Sequence, residues 1–270
     1  KDTTGNRNDL VPDPVAFHIG SLAIYWYGIC VAAGFMAGYA YLLKRGRKMG
    51  IAEEASSDLV FYAACSGLFG ARLLYVVTFW NQEFSGQNPV LAFLRIRDGG
   101  LIYYGGFVAA ALALLLLCRR KKLPLPVVAD LLAVGLPMGH AFGRLGCFLR
   151  GCCHGAHYEG PGAVCYPVDG PVGAYSEPYF PIQLMGSLGN LALAGLLFWL
   201  SLRIKQPGWL FPLYLVLFGT CRFLAEFSRG DYTAANTLAS LTQAQVVCLT
   251  VVIPLGVGLL VWMAATRPGK

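Results

Sequence analysis

Three arginines, Arg72, Arg144 and Arg222, stand inside long apolar stretches of the sequence. A charged side chain at membrane depth is costly, so such a residue usually faces the protein interior and marks a site. Guanidinium groups in a medium of low dielectric are suited to binding phosphate through paired hydrogen bonds. The three arginines together predict a shared anion site. For Arg144, near the end of its stretch, snorkelling to the headgroups is the alternative.

The elements that carry these arginines are predicted to be transmembrane helices. Of the 270 residues, 56% are hydrophobic and only 13% are charged, which is typical of an integral membrane protein and not of a soluble globule. The predicted fold is an all-α bundle of seven transmembrane helices in one membrane domain over 1–270, with a small extracytoplasmic loop at 150–180. The seven predicted spans are Ser21–Leu43, Leu59–Phe79, Leu101–Cys118, Val127–Leu149, Pro181–Leu202, Trp209–Phe227 and Thr242–Ala265.

The basic residues predict which side of the membrane each loop faces. Twelve Lys and Arg follow the first, third, fifth and seventh spans, and six lie in the other loops and the N-terminal segment. Cytoplasmic loops carry the excess of Lys and Arg, so the N-terminus is predicted outside and the C-terminus in the cytoplasm. This orientation explains the net charge of +7, and no nucleic-acid partner is predicted.

Direction along the spans places the three arginines at a similar depth. The second, fourth and sixth spans all run outward, and each carries its arginine toward the outer leaflet. Arg222 and Glu226 are four residues apart, so an ion pair that orients the guanidinium is expected. A phospholipid headgroup is the phosphate-bearing anion expected at this depth.

Glycines accompany the candidate site. Gly143 and Gly146 flank Arg144, and the run DGGLIYYGG from Asp98 to Gly106 holds two Gly-Gly pairs. Glycine in membrane helices ordinarily allows close helix packing. Two such pairs within nine residues at a membrane boundary favour a loop or broken helix that lines a cavity.

Six segments in order resemble the bacterial prolipoprotein diacylglyceryl transferase family. They are DPVAFHIGSLAIYWYG from Asp13, GARLLY from Gly70, RDGGLIYYGG from Arg97, GRLGCFLRG from Gly143, YFPIQL from Tyr179 and CRFLAEFSRGD from Cys221. The resemblance implies a seven-span enzyme of the bacterial cytoplasmic (inner) membrane that works without a metal or organic cofactor. Its expected partners are the lipid bilayer, phosphatidylglycerol and preprolipoprotein signal peptides. The expected reaction moves the diacylglyceryl group to the thiol of the lipobox cysteine, giving a thioether and glycerol phosphate.

The resemblance also implies roles for individual residues. Catalysis is expected from Arg144 and Arg222, which would stabilise charge on the leaving phosphate. Substrate binding is expected from the residues at matching positions and from neighbouring glycines, namely Tyr27, Arg72, Gly105, Gly143, Gly146, Gln183, Glu226 and Arg229.

Several positions depart from the family pattern and leave the proton acceptor open. Tyr104 stands where the family has histidine, and tyrosine, with a pKa of about 10, is a poor base at neutral pH. His140 lies four residues before Arg144 on one helix face. We hypothesise that His140 accepts the thiol proton in catalysis while Tyr104 positions the lipid or the peptide by a hydrogen bond. The alternatives are that His154 or His157 does so, that Tyr104 suffices as a hydrogen-bond donor, or that His140 is a packing residue.

Cysteines replace polar residues of the family at Cys147 and Cys152, and they leave a second function open. We expect either a disulfide from Cys165 to Cys152 or Cys153, or free thiols. A zinc site formed by Cys152, Cys153, Cys165 and either His154 or His157 ranks second. The other five cysteines, in or beside spans, are expected to pack as small apolar residues. The alternative function is that of a catalytically divergent relative acting as a membrane thiol-redox or metal-binding protein.

Overall fold

The computed structural model describes residues 13–86, 88–95, 99–166, 176–229, 237–238 and 241–266, and it is mostly helical. Helices α1 to α5 are Trp26–Lys48, Glu53–Thr78, Pro89–Leu94, Tyr103–Arg120 and Leu125–Arg150. Helices α6 to α9 are Ile182–Arg203, Leu210–Glu226, Gln243–Val247 and Ile253–Ala265, and π-helical turns occupy Trp80–Phe84 and Cys248–Val252. Two short antiparallel hairpins pair β1 (Val15–Ile19) with β2 (Leu22–Tyr25) and β3 (Thr237–Leu238) with β4 (Leu241–Thr242).

Within the described residues, six helical segments are long and apolar enough to cross a bilayer. They are α1, α2, α4, α5, α6 and the continuous segment Gln243–Ala265 that includes α8 and α9. This result confirms the prediction of a helical membrane protein. The sixth predicted span corresponds to α7, which has 17 residues and is shorter than these six.

The first predicted span began too early. The prediction placed its start at Ser21, but Leu22–Tyr25 forms a strand that pairs with Val15–Ile19. Gly20, with φ of +61°, makes the turn between the two strands. The backbone N–H of Trp26 then donates to the carbonyl of Pro14 at 3.0 Å, and the helix starts there.

The chain forms two compact units. One contains residues 1–40 and 129–270, and the other contains residues 41–128, so the divisions fall inside α1 and α5. We call them the first and the second unit. The single membrane domain and the extracytoplasmic placement of 150–180 stay predictions.

In the second unit, α2 and α4 pack through glycines. A side-chain carbon added at Gly70 would lie 2.5 Å from the carbonyl oxygen of Gly105, and one added at Gly106 would lie 2.8 Å from that of Gly67. The prediction that Gly105 and Gly106 belong to a loop or broken helix lining a cavity is therefore wrong, because both lie inside α4 and pack against α2. The reason is close helix packing, the ordinary role of glycine in membrane helices.

In the first unit, Asp130 ties α5 to the start of α7. Its buried carboxylate accepts hydrogen bonds from the backbone N–H groups of Gly208 (2.6 Å), Leu210 (2.9 Å) and Phe211 (3.0 Å). The N–H groups of Leu210 and Phe211, in the first turn of α7, have no partner within their helix, and a carboxylate satisfies them and the helix dipole together. The contact fixes the two helices that carry Arg144 and Arg222.

Candidate functional site

One face of α5 carries the polar groups of the candidate site. His140, Arg144 and Cys147 follow one another at intervals of four and three residues, so their side chains point the same way on the helix. A side-chain carbon added at Gly146 would lie 3.1 Å from the Tyr27 ring, and that position therefore lets α1 approach α5 closely. Gly143 faces open space, with nothing within 4 Å of such a carbon.

The side chain of Arg144 passes over Gly186 of α6. A side-chain carbon added at Gly186 would meet Cγ and Cδ of Arg144 at 3.5 Å. Arg144 interacts electrostatically with Tyr27 and His140. Among the residues that the structure describes, its guanidinium has no carboxylate or hydrogen-bond acceptor, so its donors are available to an anion.

On α7, the predicted ion pair between Arg222 and Glu226 is confirmed. Nη1 of Arg222 lies 2.8 Å from Oε2 of Glu226, whose side chain is fully buried. Nη1 of Arg229 lies 4.0 Å from the same oxygen, and the Thr242 hydroxyl donates to the other carboxylate oxygen at 3.2 Å. One buried carboxylate thus orients two arginines.

His140 lies between the two helices that carry the site arginines. Its ring stacks on Phe218 of α7, with centroids 5.2 Å apart, and it interacts electrostatically with Arg144 and Arg222. Nδ1 is buried and has no hydrogen-bond partner within the described residues. An imidazole nitrogen without a partner is free to accept a proton.

After the end of α5 the chain turns back toward Cys147 in the last turn of that helix. Gly151 adopts φ of +74°, its N–H donates to the carbonyl of Phe148 at 3.1 Å, and the N–H of Cys152 donates to that of Cys147 at 3.1 Å. This pair of bonds is the Schellman motif, which needs glycine at the left-handed position after the helix. It brings Cys152 to Cys147 although five residues separate them.

Gln183 holds this returning segment in place. Its Nε2 donates to the carbonyl of Cys152 at 3.0 Å, and its Oε1 accepts from the Tyr166 hydroxyl at 3.2 Å. The side chain is completely buried. Because both ends of the amide are engaged inside the protein, Gln183 positions the loop and does not offer its amide to a substrate.

The cysteines are free thiols, which the sequence analysis gave as the alternative to a disulfide. All nine are free, so the expected bridge from Cys165 to Cys152 or Cys153 is not formed. Instead, the sulfurs of Cys147, Cys152 and Cys153 lie within 4.8 Å of one another. The hydrogen bonds of the Cys153 sulfur with the Cys147 and Cys152 thiols lower the pKa of Cys153, and the positive charges of Arg229 and Arg144 lower it further. The sequence prediction missed Cys147 as a member of this cluster, although Gly151 signals the chain reversal.

The histidines proposed as zinc ligands lie with other residues. His154 stacks on Tyr179, with centroids 3.9 Å apart, and its Nδ1 lies 3.1 Å from the carbonyl of Gly155. Nε2 of His157 lies 3.1 Å from the exposed carboxylate of Glu177. In the described part of the chain, neither belongs to the group of three sulfurs.

In the second unit, Arg72 is fully engaged by backbone. Its five N–H groups donate to the carbonyls of Ala92, Phe93, Arg95, Gly99 and Gly100 at 2.6 to 3.1 Å. The guanidinium has five donors, so none is left for a lipid phosphate. The expectation that Arg72 binds phosphate directly disagrees with these contacts, which make it a support of the loop after α3.

The other two predicted residues of the second unit lie in the first turn of α4. Tyr104 is 44% exposed, and its ring packs edge-on against Tyr103 at 6.0 Å. Gly105, expected at the substrate, packs instead against the backbone of α2 at Gly70.

Comparison with known proteins decides the family. A family model described as prolipoprotein diacylglyceryl transferase matches residues 14–262. The chain belongs to this family. The phosphatidylglycerol–prolipoprotein diacylglyceryl transferase of Bordetella parapertussis is 33% identical over 257 residues, which are 93% of this chain and 95% of the relative. The phosphatidylglycerol–prolipoprotein diacylglyceryl transferase 2 of Clostridium perfringens is 32% identical over 227 residues, 83% and 86% of the two chains.

Membership of the family agrees with the resemblance drawn from the six sequence segments. The family match covers the first unit almost completely, including every residue described above around Arg144. The alternative of a membrane thiol-redox or metal-binding protein finds no support in these relatives.

Proposed function

We propose that this chain is a phosphatidylglycerol–prolipoprotein diacylglyceryl transferase. It transfers the diacylglyceryl group of phosphatidylglycerol to a cysteine thiol of a prolipoprotein, forming a thioether and releasing glycerol phosphate. The observation that carries the proposal is that two arginines act electrostatically on the same His140. The donors of Arg144 are free among the described residues, and a buried carboxylate orients Arg222. Two guanidinium groups in a half-buried site suit one phosphate.

The arginines act on the leaving group. The thiol sulfur attacks the glycerol carbon, the carbon–oxygen bond breaks, and its electron pair stays on the phosphate oxygen. Arg144 and Arg222 hold the phosphate oxygens as this charge develops, and one such donor typically contributes about 10²- to 10³-fold to a rate. Glu226 orients Arg222 and lies near Arg229, and Tyr27 interacts electrostatically with Arg144.

His140 accepts the proton of the incoming thiol. Because the thiolate is the nucleophile, a proton acceptor must lie close to the thiol of the substrate. Nδ1 of His140 is buried without a partner in the described residues, beside both site arginines. A His140→Ala variant that transfers lipid at the wild-type rate would exclude this role, and the alternatives of His154, His157 and Tyr104 would remain.

The protein substrate is the signal peptide of a preprolipoprotein with a lipobox cysteine, and the enzyme resides in the bacterial inner membrane. The chain crosses seven times, with α7 as the sixth span, the N-terminus outside and the C-terminus in the cytoplasm. The excess of basic residues after alternate spans supports this orientation. A reporter fused after the C-terminus checks it, since activity on the outer side would overturn the topology.

Complementation tests the function. Expression of the wild type in a strain depleted of its diacylglyceryl transferase is expected to restore growth and thioether-linked lipid on a lipoprotein. The Arg144→Ala variant at an equal membrane level is expected to restore neither. Absence of lipid-modified lipoprotein with well-expressed wild type would refute the function.

A further inference from the structure

Two buried polar side chains stand at the start of the last membrane segment. Thr242, where the seventh predicted span begins, precedes α8 directly, and Gln245 lies in the first turn of that helix. The segment that follows is apolar enough to cross a bilayer. Burial of a polar side chain is costly unless it forms hydrogen bonds. The hydrogen bonds of these two residues therefore show what the start of the segment holds in place.

Thr242 and Gln245 form a capping box. Oγ1 of Thr242 accepts from the backbone N–H of Gln245 at 3.2 Å, and Oε1 of Gln245 accepts from the backbone N–H of Thr242 at 2.9 Å. The box satisfies two N–H groups that have no partner in the helix ladder. It also fixes the Thr242 side chain, because its oxygen must face the first turn of α8.

The hydroxyl proton of Thr242 is directed to Glu226. A threonine hydroxyl accepts through its oxygen and donates through its proton at the same time. The oxygen serves the capping box, and the O–H donates to Oε1 of Glu226 at 3.2 Å. The other carboxylate oxygen, Oε2, lies 2.8 Å from Nη1 of Arg222. One oxygen of the acid thus contacts the helix cap and the other contacts the site arginine.

The box is also tied to the backbone of α7. Nε2 of Gln245 donates to the carbonyl of Phe223 at 3.4 Å, and Phe223 follows Arg222 directly in the chain. The box therefore contacts α7 at two points, at the Phe223 carbonyl and at the Glu226 carboxylate. Two points of contact fix how the cap of α8 faces the helix that carries Arg222.

We propose that Thr242 is a positioning residue for Arg222 and acts through Glu226. The hydroxyl holds the carboxylate at the angle at which its second oxygen meets the guanidinium group. The importance of that angle for catalysis rests on the proposed transferase function, in which Arg222 binds the leaving phosphate.

The Glu226 side chain needs such a constraint from outside. The torsion that turns a glutamate carboxylate about its last carbon–carbon bond has a broad, soft profile. Arg222 and Arg229 both approach Oε2, at 2.8 and 4.0 Å. A carboxylate that has lost the hydroxyl at Oε1 can therefore turn toward Arg229 and away from Arg222. The hydrogen bond from Thr242 opposes this rotation.

A conservative series of substitutions tests the role of the hydroxyl. Thr242→Val keeps the shape of the side chain and removes the hydroxyl, and it is expected to lower the transfer rate at least about fivefold. Thr242→Ser keeps the hydroxyl and should retain most of the wild-type rate. Rates are compared per amount of folded protein, well below the melting temperatures.

Thr250→Val is the matched control. It removes an exposed hydroxyl of the same membrane segment, which donates to the carbonyl of Val246 at 2.8 Å, and it should keep the wild-type rate. Equal rates for Thr242→Val and Thr250→Val would overturn the proposal. A Thr242→Ser variant as slow as Thr242→Val would overturn it as well.

A double-mutant cycle tests the route through Glu226. If Thr242 acts through that carboxylate, Thr242→Val in the Glu226→Gln background is expected to lower the rate by less than about twofold further. The same substitution in the wild-type background is expected to cost at least about fivefold. An equal loss in the two backgrounds would show that Thr242 acts by another route and would overturn the proposal.

Unfolding of the same four proteins separates this inference from the proposed function. Melting temperatures in detergent report the contact between Thr242 and Glu226 without any transfer, and non-additive shifts are expected for residues in contact. Additive shifts would overturn the contact. Absence of transfer by a folded wild type would instead refute the transferase, while the melting temperatures would still decide whether Thr242 holds Glu226.

Discussion

Nη1 of Arg222 lies 2.8 Å from Oε2 of Glu226, and the Glu226 side chain is fully buried while that of Arg222 is 23% exposed. The carboxylate also accepts from Thr242 and lies near Arg229. A buried acid with several partners fixes the direction of the partly exposed guanidinium group of Arg222. The relation makes Glu226 a positioning residue for Arg222.

We therefore expect Glu226→Gln to lower kcat/KM for lipid transfer at least about tenfold, which corresponds to about 1.4 kcal/mol of lost transition-state stabilisation. The amide keeps the shape but removes the charge that orients Arg222. A transfer assay at equal enzyme concentration measures the effect. Glu177→Gln, at an exposed carboxylate of the same unit, is the matched control and should keep its rate. Equal rates for the two variants would refute the positioning role.

The hydrogen bond from Gln183 to Cys152 gives a stability prediction. Gln183→Leu leaves the Cys152 carbonyl and the Tyr166 hydroxyl without their partner, and each buried unsatisfied group costs about 1–3 kcal/mol. Tyr166→Phe removes only one of these bonds and should cost less. Thermal unfolding in detergent compares the two variants. A larger loss for Tyr166→Phe would contradict the arrangement.

Arg72 should behave as a structural residue. Lysine offers three donors on a point charge in place of five in a planar fork, so Arg72→Lys loses several bonds to the loop carbonyls. The expected result is a lower melting temperature with an unchanged KM for phosphatidylglycerol. A rise in KM at an unchanged melting temperature would instead indicate that Arg72 binds the lipid.

The glycine contacts between α2 and α4 predict a position-specific effect. An added methyl group at Gly70 meets the Gly105 carbonyl at 2.5 Å, whereas at Gly67 the contacts are an ordinary 3.7 Å or longer. Gly70→Ala should destabilise the second unit strongly, and Gly67→Ala should be tolerated. Melting temperatures and membrane levels of the two variants provide the measurement. Similar stability of both would contradict the close packing.

Local spacing predicted much of the site. Arg222 and Glu226 are four residues apart on one helix, an interval that places two side chains side by side. The structure contains the predicted ion pair. The same rule placed His140 with Arg144. The helical membrane class followed from long apolar runs, which need no knowledge of tertiary contacts.

Contacts between distant segments could not be predicted from the sequence. The carbonyls that occupy Arg72 lie 20 to 28 residues further along the chain, and backbone groups leave no mark in the residue types. The Gly-Gly pair in α4 looks the same whether it lines a cavity or packs on a helix. Cys147 could have been joined to Cys152, since Gly151 after a helix predicts the reversal that connects them.

Transfer by purified protein tests the central claim most directly. The assay combines the enzyme, phosphatidylglycerol and a lipobox peptide, and mass spectrometry detects diacylglyceryl on the peptide thiol. The wild type is expected to form the thioether and release glycerol phosphate. Arg144→Ala is expected to lose at least about 10²-fold in rate with an unchanged melting temperature. A folded wild type that forms no thioether, or an Arg144→Ala variant that matches its rate, would contradict a transferase built around Arg144.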